Sequence, residues 1–311
     1  MKECFIPRKF RTATLKIINQ ANVIIQKFQR LGFILSVRQL YYQMVKANLI
    51  VNTKESYDKV KETINNAKLA GLVDWAAIED RRRTYEGRSH WASPYAAMQA
   101  IADQYARDRW EGQKYRPEFF VEKEALEGIV ERVALENDVS YLACCGYCSG
   151  TVLYDCARRI RERRKRGQET VIIYAGDHDP SGLDMSDSDI PSRLQTFLGK
   201  YSHGPVEIRR IALNLDQISL YKPPPNFVKD TDTRYGAYKK KYGEKCWEVD
   251  ALEPDVLMAL YQAEVDEMKD AALYDKMAEL EADEQQTLSR IADRFDDVAE
   301  FLSEQEDEDD E

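Results

Sequence analysis

The stretch VIIYAGDHDPSGLDM, from Val171 to Met185, is the part of the sequence that most directly indicates the fold. Its apolar run ends at Gly176, which is typical of a buried strand in a parallel sheet. Asp177 and Asp179 follow at alternate positions, so an extended backbone turns both carboxylates to one side. Two hard oxygen ligands at the carboxyl end of such a strand suit Mg²⁺. The alternative interpretation is a helix N-cap followed by a surface turn.

Short apolar runs alternate with helical patterns from Pro117 onward, which predicts a parallel sheet covered by helices on both faces. Strands are expected at 119–121, 140–145, 171–175 and 206–213, and helices at 124–137, at 151–166 and after Asp184. Glu122 comes directly after the first strand, so it should emerge at the same sheet edge as Asp177 and Asp179. The arginine-rich end of helix 151–166 either contacts phosphates or complements the helix C-terminus.

Amphipathic helices are predicted at 12–31, from Val37 after the N-cap Ser36, and at 54–70. The second helix buries a stripe that includes Tyr41. Tyr42 is turned about 100° away from Tyr41 by the helical period, towards Arg38, so its side chain is expected to be accessible.

A basic and amide-bearing surface is predicted on the third helix, where Lys54, Lys61, Asn65 and Lys68 face outward. Residues 72–88, which contain Arg81, Arg82 and Arg83, are predicted to form the β-wing of a winged helix-turn-helix. Helix, helix and wing with outward positive charge are typical of DNA binding, and a solvated helix face is the alternative.

The charge of the chain is divided between a basic body and an acidic end. The net charge is −10, yet residues 265–311 hold 19 acidic and 4 basic side chains, which leaves residues 1–264 at +5. A basic body fits a polyanionic partner. The final EQEDEDDE has too few apolar residues to fold and is expected to be disordered.

A membrane segment or signal peptide is not expected, because no run of 18 apolar residues exists and MKECFIPRKF lacks an apolar core. The expected location is therefore cytoplasmic, in association with the nucleoid. The six cysteines are expected to be reduced thiols. Residues 214–247 are expected to form an irregular connection, 245–252 a strand, and the chain from Glu253 a helix that could continue to about Leu302.

Three short segments in a shared order resemble the A subunit of type IIB topoisomerases (topoisomerase VI) and the related meiotic double-strand-break proteins. They are SVRQLYYQMV (36–45), VEKEAL (121–126) and GDHDPSGLDM (176–185), and WEVDALEP (247–254) resembles the closing strand and turn. The resemblance spans residues 34–268. It implies an α/β fold with an α+β module, in which a winged helix-turn-helix precedes a Toprim domain and a helical acidic tail. The implied boundaries are 1–91, a linking helix at 92–116, 117–265 and 266–311.

The resemblance also implies a chemistry and a set of partners. Tyr42 would be the nucleophile that forms a 5′-phosphotyrosyl link, with Arg38 stabilising charge beside it. Glu122, Asp177 and Asp179 would bind one or two Mg²⁺ ions, and Glu122 would also take part in catalysis. Double-stranded DNA would be the substrate of a homodimer in which each tyrosine meets the carboxylates of the other subunit.

The residues leave two other functions open. A Toprim nuclease would cut DNA with activated water and leave Tyr42 unused, and a winged-helix protein without catalysis would only bind DNA. The sequence contains no GxxxxGK[ST] loop, so ATP is expected to act only through a separate B-type ATPase subunit.

Overall fold

The computed structural model describes residues 2–79, 88, 90–201, 203–228, 231–297 and 300–301. The chain forms two compact units, one comprising residues 1–84 and 116–267 and the other residues 85–115 and 268–311. Throughout the described ranges, no helix combines the length and the apolar character needed to span a membrane.

The helices and strands follow one another along both units. The helices are α1 Thr12–Arg30, α2 Val37–Lys46, α3 Lys54–Leu69, α4 Pro94–Gln104, α5 Glu127–Glu136, α6 Gly150–Lys165, α7 Pro180–Asp184, α8 Ile190–Leu198, α9 Leu215–Tyr221, α10 Tyr235–Tyr242, α11 Pro254–Met268 and α12 Ala271–Asp293. The strands are β1 Leu35–Ser36, β2 Ile78–Glu79, β3 Tyr115–Val121, β4 Ser140–Ala143, β5 Glu169–Ala175, β6 Glu207–Ala212, β7 Asn226–Phe227 and β8 Lys245–Cys246.

A four-stranded parallel sheet in the order β4-β3-β5-β6 organises the first unit. Its strands form where the apolar runs predicted them, because side chains such as Phe120, Ile172 and Tyr174 are buried in a core that α6 and α8 complete. The predicted α/β class with a parallel sheet is therefore confirmed. Parallel strands end at a common edge, so the residues after β3 and β5 lie close together.

The three N-terminal helices pack on one another around buried residues such as Ile18, Leu40 and Ile64. Helix α2 begins with a capping box, in which the Ser36 hydroxyl accepts a hydrogen bond from Gln39 N and the Gln39 side chain accepts one from Ser36 N. Strand β1 then pairs in parallel with β2. Residues 80–87 of the predicted wing, which include Arg81, Arg82 and Arg83, lie outside the described residues.

The basic end of α6 is explained largely by ion pairs within the fold. Arg159 and Arg163 both donate to the carboxylate of Glu118, whose side chain is 1% exposed, at distances of 2.6 to 2.9 Å. Their charges outweigh the effect of burial and lower the pKa of Glu118. These arginines therefore anchor α6 to β3.

Three local expectations are corrected in the C-terminal half. Residues 214–247 contain α9, α10 and the antiparallel pair β7–β8, although an irregular connection was expected. The expected strand at 245–252 has only two strand residues and then a helical turn at Val249–Ala251. The helix that begins at Pro254 ends at Met268, and Asp270 caps a separate helix, α12.

The second unit contains α4 and α12, which pack against each other. Trp110 is fully buried there, edge-on against Tyr274, and Arg109 Nη2 lies 2.5 Å from Glu281 Oε1. Arg109 thus holds α12, the helix of the acidic C-terminal region, within the second unit.

Candidate functional site

The hydroxyl of Tyr42 lies inside a cluster of charged side chains in the first unit. Tyr42 Oη donates a 2.5 Å hydrogen bond to Glu248 Oε2. Arg38, one helical turn earlier, donates from Nη2 to Tyr42 Oη at 3.3 Å. Burial raises the pKa of Tyr42, and the charges of Asp250 and Glu248 raise it further. The phenol is therefore protonated at neutral pH, and its oxygen sits between a carboxylate and a guanidinium.

The position of Tyr42 corrects one expectation. Its side chain was expected to be accessible, yet it is only 7% exposed. The helical period does turn Tyr42 away from Tyr41, whose hydroxyl donates elsewhere, to Asn52 Oδ1 and Thr53 O. The side facing away is covered by Glu248 and by Lys123, whose Nζ lies 6.0 Å from the ring centre.

Lys123 is the cation at the centre of the cluster. Its Nζ lies 2.7 Å from Asp250 Oδ1, 2.8 Å from Glu248 Oε2 and 3.0 Å from Asp177 Oδ1. Burial opposes its charge, but the three carboxylates outweigh burial and hold the pKa of Lys123 well above its usual range. Lys123 therefore connects the Tyr42 end of the cluster to the carboxylates at the sheet edge.

Glu122 and Asp177 meet at the carboxyl ends of β3 and β5. Glu122 Oε2 accepts a 2.8 Å hydrogen bond from Asp177 N, and Asp177 Oδ1 accepts one of 2.8 Å from Val249 N. Burial raises the pKa of Glu122, and the nearby charge of Asp179 raises it further. The pKa of Asp177 is likewise raised, by burial and by Glu122 and Asp250, against the opposing charge of Lys123.

Asp179 has a structural task of its own, since it is the N-cap of α7. Its Oδ1 accepts hydrogen bonds from Gly182 N at 2.7 Å and from the Ser181 hydroxyl at 3.0 Å. The cap interpretation is therefore correct for this residue, and one oxygen of its carboxylate remains outside these two bonds. His178 packs among the rings of Tyr238, Tyr242 and Trp247.

Glycines allow the backbone to approach these carboxylates closely. A Cβ added at Gly176 would lie 2.6 Å from Glu122 Oε2, and one at Gly182 would lie 2.3 Å from Asp177 O. Arg210 braces the same turn, because its guanidinium donates to the carbonyl oxygens of Gly176, Asp177 and Gly182. The turn after β5 is therefore a packed cradle around Glu122.

The donor chemistry of Glu122, Asp177 and Asp179 fits a hard divalent cation. In the hydrogen bonds above each carboxylate uses a single oxygen. Burial, and after it the charge of neighbouring carboxylates, raises the pKa of Glu122 and of Asp177, and a bound cation would offset both effects. Within the described residues, however, no three His, Cys, Asp or Glu side chains already form a group that could hold a metal ion.

The predicted DNA-binding residues fall into three sets. Lys54, Lys61 and Asn65 are exposed on α3, as expected. Lys68 is half-buried, donates to Ile78 O at 3.0 Å and lies 5.6 Å from the Trp75 ring centre, so it supports the fold. Arg81, Arg82 and Arg83 lie outside the described residues.

A cavity of about 230 Å³ opens beside Tyr42, and cationic, amide and aromatic side chains line it. Its lining residues are Arg38, Tyr41, Tyr42, Asn52, Thr53, Lys54 and Tyr57. A concave surface with two cations next to a tyrosine hydroxyl suits a phosphate-bearing ligand.

Sequence reasoning missed four residues near Tyr42. They are Lys123, Glu248, Asp250 and Asn226, whose Nδ2 donates to Glu248 Oε1 at 2.9 Å. Asp250 is 2% exposed, and its Oδ2 has no hydrogen-bond partner among the described residues. The sequence did contain a signal for two of them, because Glu248 and Asp250 occupy alternate positions in WEVDAL. The same pattern is typical of an ordinary strand followed by a turn. Lys123 was equally visible, directly after Glu122 in VEKEAL.

No family model, curated protein or solved structure matches this chain. Its candidate site therefore rests on the geometry above.

Proposed function

We propose that the chain is a Mg²⁺-dependent DNA-cleaving enzyme, similar to the topoisomerase VI A subunit, in which Tyr42 attacks a phosphodiester and forms a 5′-phosphotyrosyl link. The observation that carries the proposal is the meeting of the Tyr42 hydroxyl with Arg38 and with a carboxylate–lysine cluster that reaches Asp177. In this proposal, residues up to 91 are a winged helix-turn-helix and 117–265 a Toprim domain.

The side chains around Tyr42 suit a nucleophilic tyrosine. A phenol with an ordinary pKa near 10 attacks poorly at neutral pH and needs a base and nearby positive charge. Arg38 donates to Tyr42 Oη and would stabilise the phenolate that develops during attack. Glu122, Asp177 and Asp179 would hold Mg²⁺, which at such a site neutralises negative charge on phosphate oxygens.

The partners follow from the same proposal. Lys54, Lys61 and Asn65 on the exposed face of α3 would contact the backbone of double-stranded DNA. A homodimer would cut both strands, and ATP would act only through a B-type ATPase subunit. The proposed location is the cytoplasm, at the nucleoid.

The test is incubation with plasmid DNA and Mg²⁺, followed by denaturation and detection of protein on 5′ ends. The native chain should form this adduct, Tyr42→Phe should not, and Asp177→Asn should form little. Tyr41→Phe is the matched control, because its hydroxyl donates to Asn52 Oδ1 and Thr53 O rather than to Glu248, and it should retain the adduct. Undiminished cutting by Tyr42→Phe would show that Tyr42 is not the nucleophile.

A Toprim nuclease that uses activated water is the second candidate, and one observation favours it. The Tyr42 side chain is only 7% exposed, so the side chains that cover it must shift before a phosphate can reach its hydroxyl. Unattached 5′ phosphates, with cutting retained in Tyr42→Phe and lost in Asp177→Asn, would support this candidate. Duplex binding without cutting in any divalent metal would support a winged-helix module without catalysis.

A further inference from the structure

The two hydrogen bonds of Tyr42 Oη show which group accepts the hydroxyl proton. Among the described residues, the hydroxyl oxygen is hydrogen-bonded to Arg38 Nη2 at 3.3 Å and to Glu248 Oε2 at 2.5 Å. A guanidinium only donates, so the bond from Arg38 uses a lone pair of the phenol oxygen. The O–H bond must therefore point at Glu248.

We infer that Glu248 is the general base that removes the hydroxyl proton of Tyr42 when the tyrosine attacks DNA. This inference rests on the proposed function, and it assigns the base to a residue that none of the sequence motifs singled out. Geometry is the first requirement for such a base, and an oxygen-to-oxygen distance of 2.5 Å meets it without any movement.

The carboxylate of Glu248 is held in place from both oxygens. Asn226 Nδ2 donates to Oε1 at 2.9 Å, and Lys123 Nζ donates to Oε2 at 2.8 Å. Burial disfavours the charge on Glu248, but Lys123, Tyr42 and Arg38 outweigh burial and lower its pKa to about 2. Glu248 is consequently ionised at neutral pH and oriented with a lone pair on the phenol.

The hydrogen bonds of the other carboxylates go to groups other than Tyr42 Oη. Glu122 Oε2 accepts from Asp177 N, Asp177 Oδ1 from Val249 N, and Asp250 Oδ1 from Lys123. In the part of the chain that the structure describes, Glu248 is the carboxylate hydrogen-bonded to Tyr42 Oη. Glu122 therefore keeps its proposed place at the metal, and the base is a separate residue.

The attack of Tyr42 on DNA moves one proton and exchanges one phosphoester bond for another. The O–H bond of Tyr42 breaks and its proton moves to Glu248 Oε2, while a bond forms between Tyr42 Oη and the phosphorus. The bond from phosphorus to the 3′ oxygen breaks, and that oxygen takes a proton from water. Glu248 then releases its proton to solvent, so no further reactant is needed. Arg38 remains beside the phenol oxygen throughout and offsets its developing charge.

The decisive experiment replaces Tyr42 with a fluorotyrosine whose phenol is ionised at neutral pH. In the tyrosine form, Glu248→Gln should slow adduct formation by about 10²- to 10⁴-fold, the usual contribution of a general base. With the fluorotyrosine, the Glu248→Gln variant should regain most of that rate, because an ionised nucleophile needs no base. Glu122→Gln should gain nothing from the same replacement.

Glu253→Gln is the matched control. Glu253 also lies beside α2, but its carboxylate pairs with Lys46 at 2.9 Å and Lys27 at 3.5 Å rather than with Tyr42. Its variant should form the adduct at the native rate. An adduct rate for Glu248→Gln within about threefold of native, or a failure of the fluorotyrosine to restore it, overturns the inference, since the contribution of a base is far larger.

A second readout separates this inference from the proposed function. With 3-fluorotyrosine at position 42, the ¹⁹F resonance should shift between native and Glu248→Gln chains without DNA present, and it should not shift in Glu253→Gln. If Tyr42→Phe still cuts, the proposed function fails whatever the resonance does. If the native chain forms the Tyr42 adduct and Glu248→Gln forms it equally fast, only the assignment of the base fails.

Discussion

Removing the charge of Lys123 should destabilise the first unit more than removing any surface lysine. In Lys123→Met, three carboxylates would face one another without the ammonium that now lies within 3.0 Å of each. At an effective dielectric constant near 20, each of these contacts is worth several kcal/mol before the cost of desolvation. Breaking a buried ion pair on one side typically costs about 3–5 kcal/mol, and we expect that loss here.

The assay is urea unfolding of the native chain, Lys123→Met and the control Lys46→Met. The Lys46 side chain is 29% exposed and pairs with Glu253, so its loss should cost no more than about 1 kcal/mol. The difference between the variants should be largest at neutral pH. Asp177 and Asp250 already have raised pKa values in the folded chain, because burial disfavours their charge.

The direction of the pH dependence follows from those raised values. A carboxylate whose pKa is higher in the folded state destabilises the fold above that pKa, and the penalty disappears as the pH falls through it. Loss of Lys123 raises these pKa values further, so acid should reduce the deficit of Lys123→Met. A deficit under 1 kcal/mol at neutral pH, or one that grows in acid, would refute the central role given to Lys123.

Three further variants test the packing and the proposed DNA surface. Glu118→Ala should lower the free energy of unfolding by about 3–5 kcal/mol because it leaves Arg159 and Arg163 without their buried carboxylate. Glu162→Ala, which breaks an exposed pair with Lys165, is the control and should leave the free energy of unfolding nearly unchanged. Gly182→Ala should cost about 1–3 kcal/mol and impair cleavage because its Cβ meets Asp177 O at 2.3 Å, while Gly236→Ala, with open space around it, serves as the control; equal stability of the two would contradict the cradle. Lys61→Ala should weaken duplex binding and reduce the slope of log affinity against log salt by about 1, and an unchanged slope would exclude Lys61 from the phosphate contacts.

The parallel sheet could be predicted from the sequence because burial on both faces leaves a local trace. Residues 171–175 are apolar throughout, and all are buried in β5. Helix α10 left no comparable trace, since its eight residues are mostly Tyr and Lys and it buries Tyr238 alone. That helix is held by a tertiary contact, in which His178 Nδ1 lies 2.9 Å from Tyr238 Oη. Periodicity within eight residues cannot report such a contact.

The candidate site was predictable in part for a similar reason. The convergence of Glu122 with Asp177 follows from strand order alone, because both residues end neighbouring parallel strands. The burial of Tyr42 could not be predicted in this way. Helical spacing indicates which face of α2 packs on the other helices, but it does not show that Glu248 and Lys123 cover another face. Glu248 reaches Tyr42 from 206 residues further along the chain. Only the fold brings these two side chains together.

The same contact bears on whether one chain can hold a whole active site. The resemblance implies that each tyrosine meets the carboxylates of another subunit. In this structure Tyr42 bonds to Glu248, Glu248 to Lys123 and Lys123 to Asp177, all within the first unit. We therefore expect the tyrosine and the carboxylates of one protomer to act together.

Mixing two inactive variants tests that expectation. If sites form within one protomer, Tyr42→Phe mixed with Asp177→Asn should give no adduct, because neither chain carries both groups. If sites form between protomers, a mixed dimer would regain one intact site, with the tyrosine from one chain and the carboxylates from the other, and single-strand cuts would appear. Each variant mixed with native chain shows that exchange of subunits occurs under the assay conditions. If the mixture of Tyr42→Phe and Asp177→Asn forms the adduct, the Tyr42–Glu248 contact is a resting arrangement. Tyr42 would then leave Glu248 and act with the carboxylates of the other protomer.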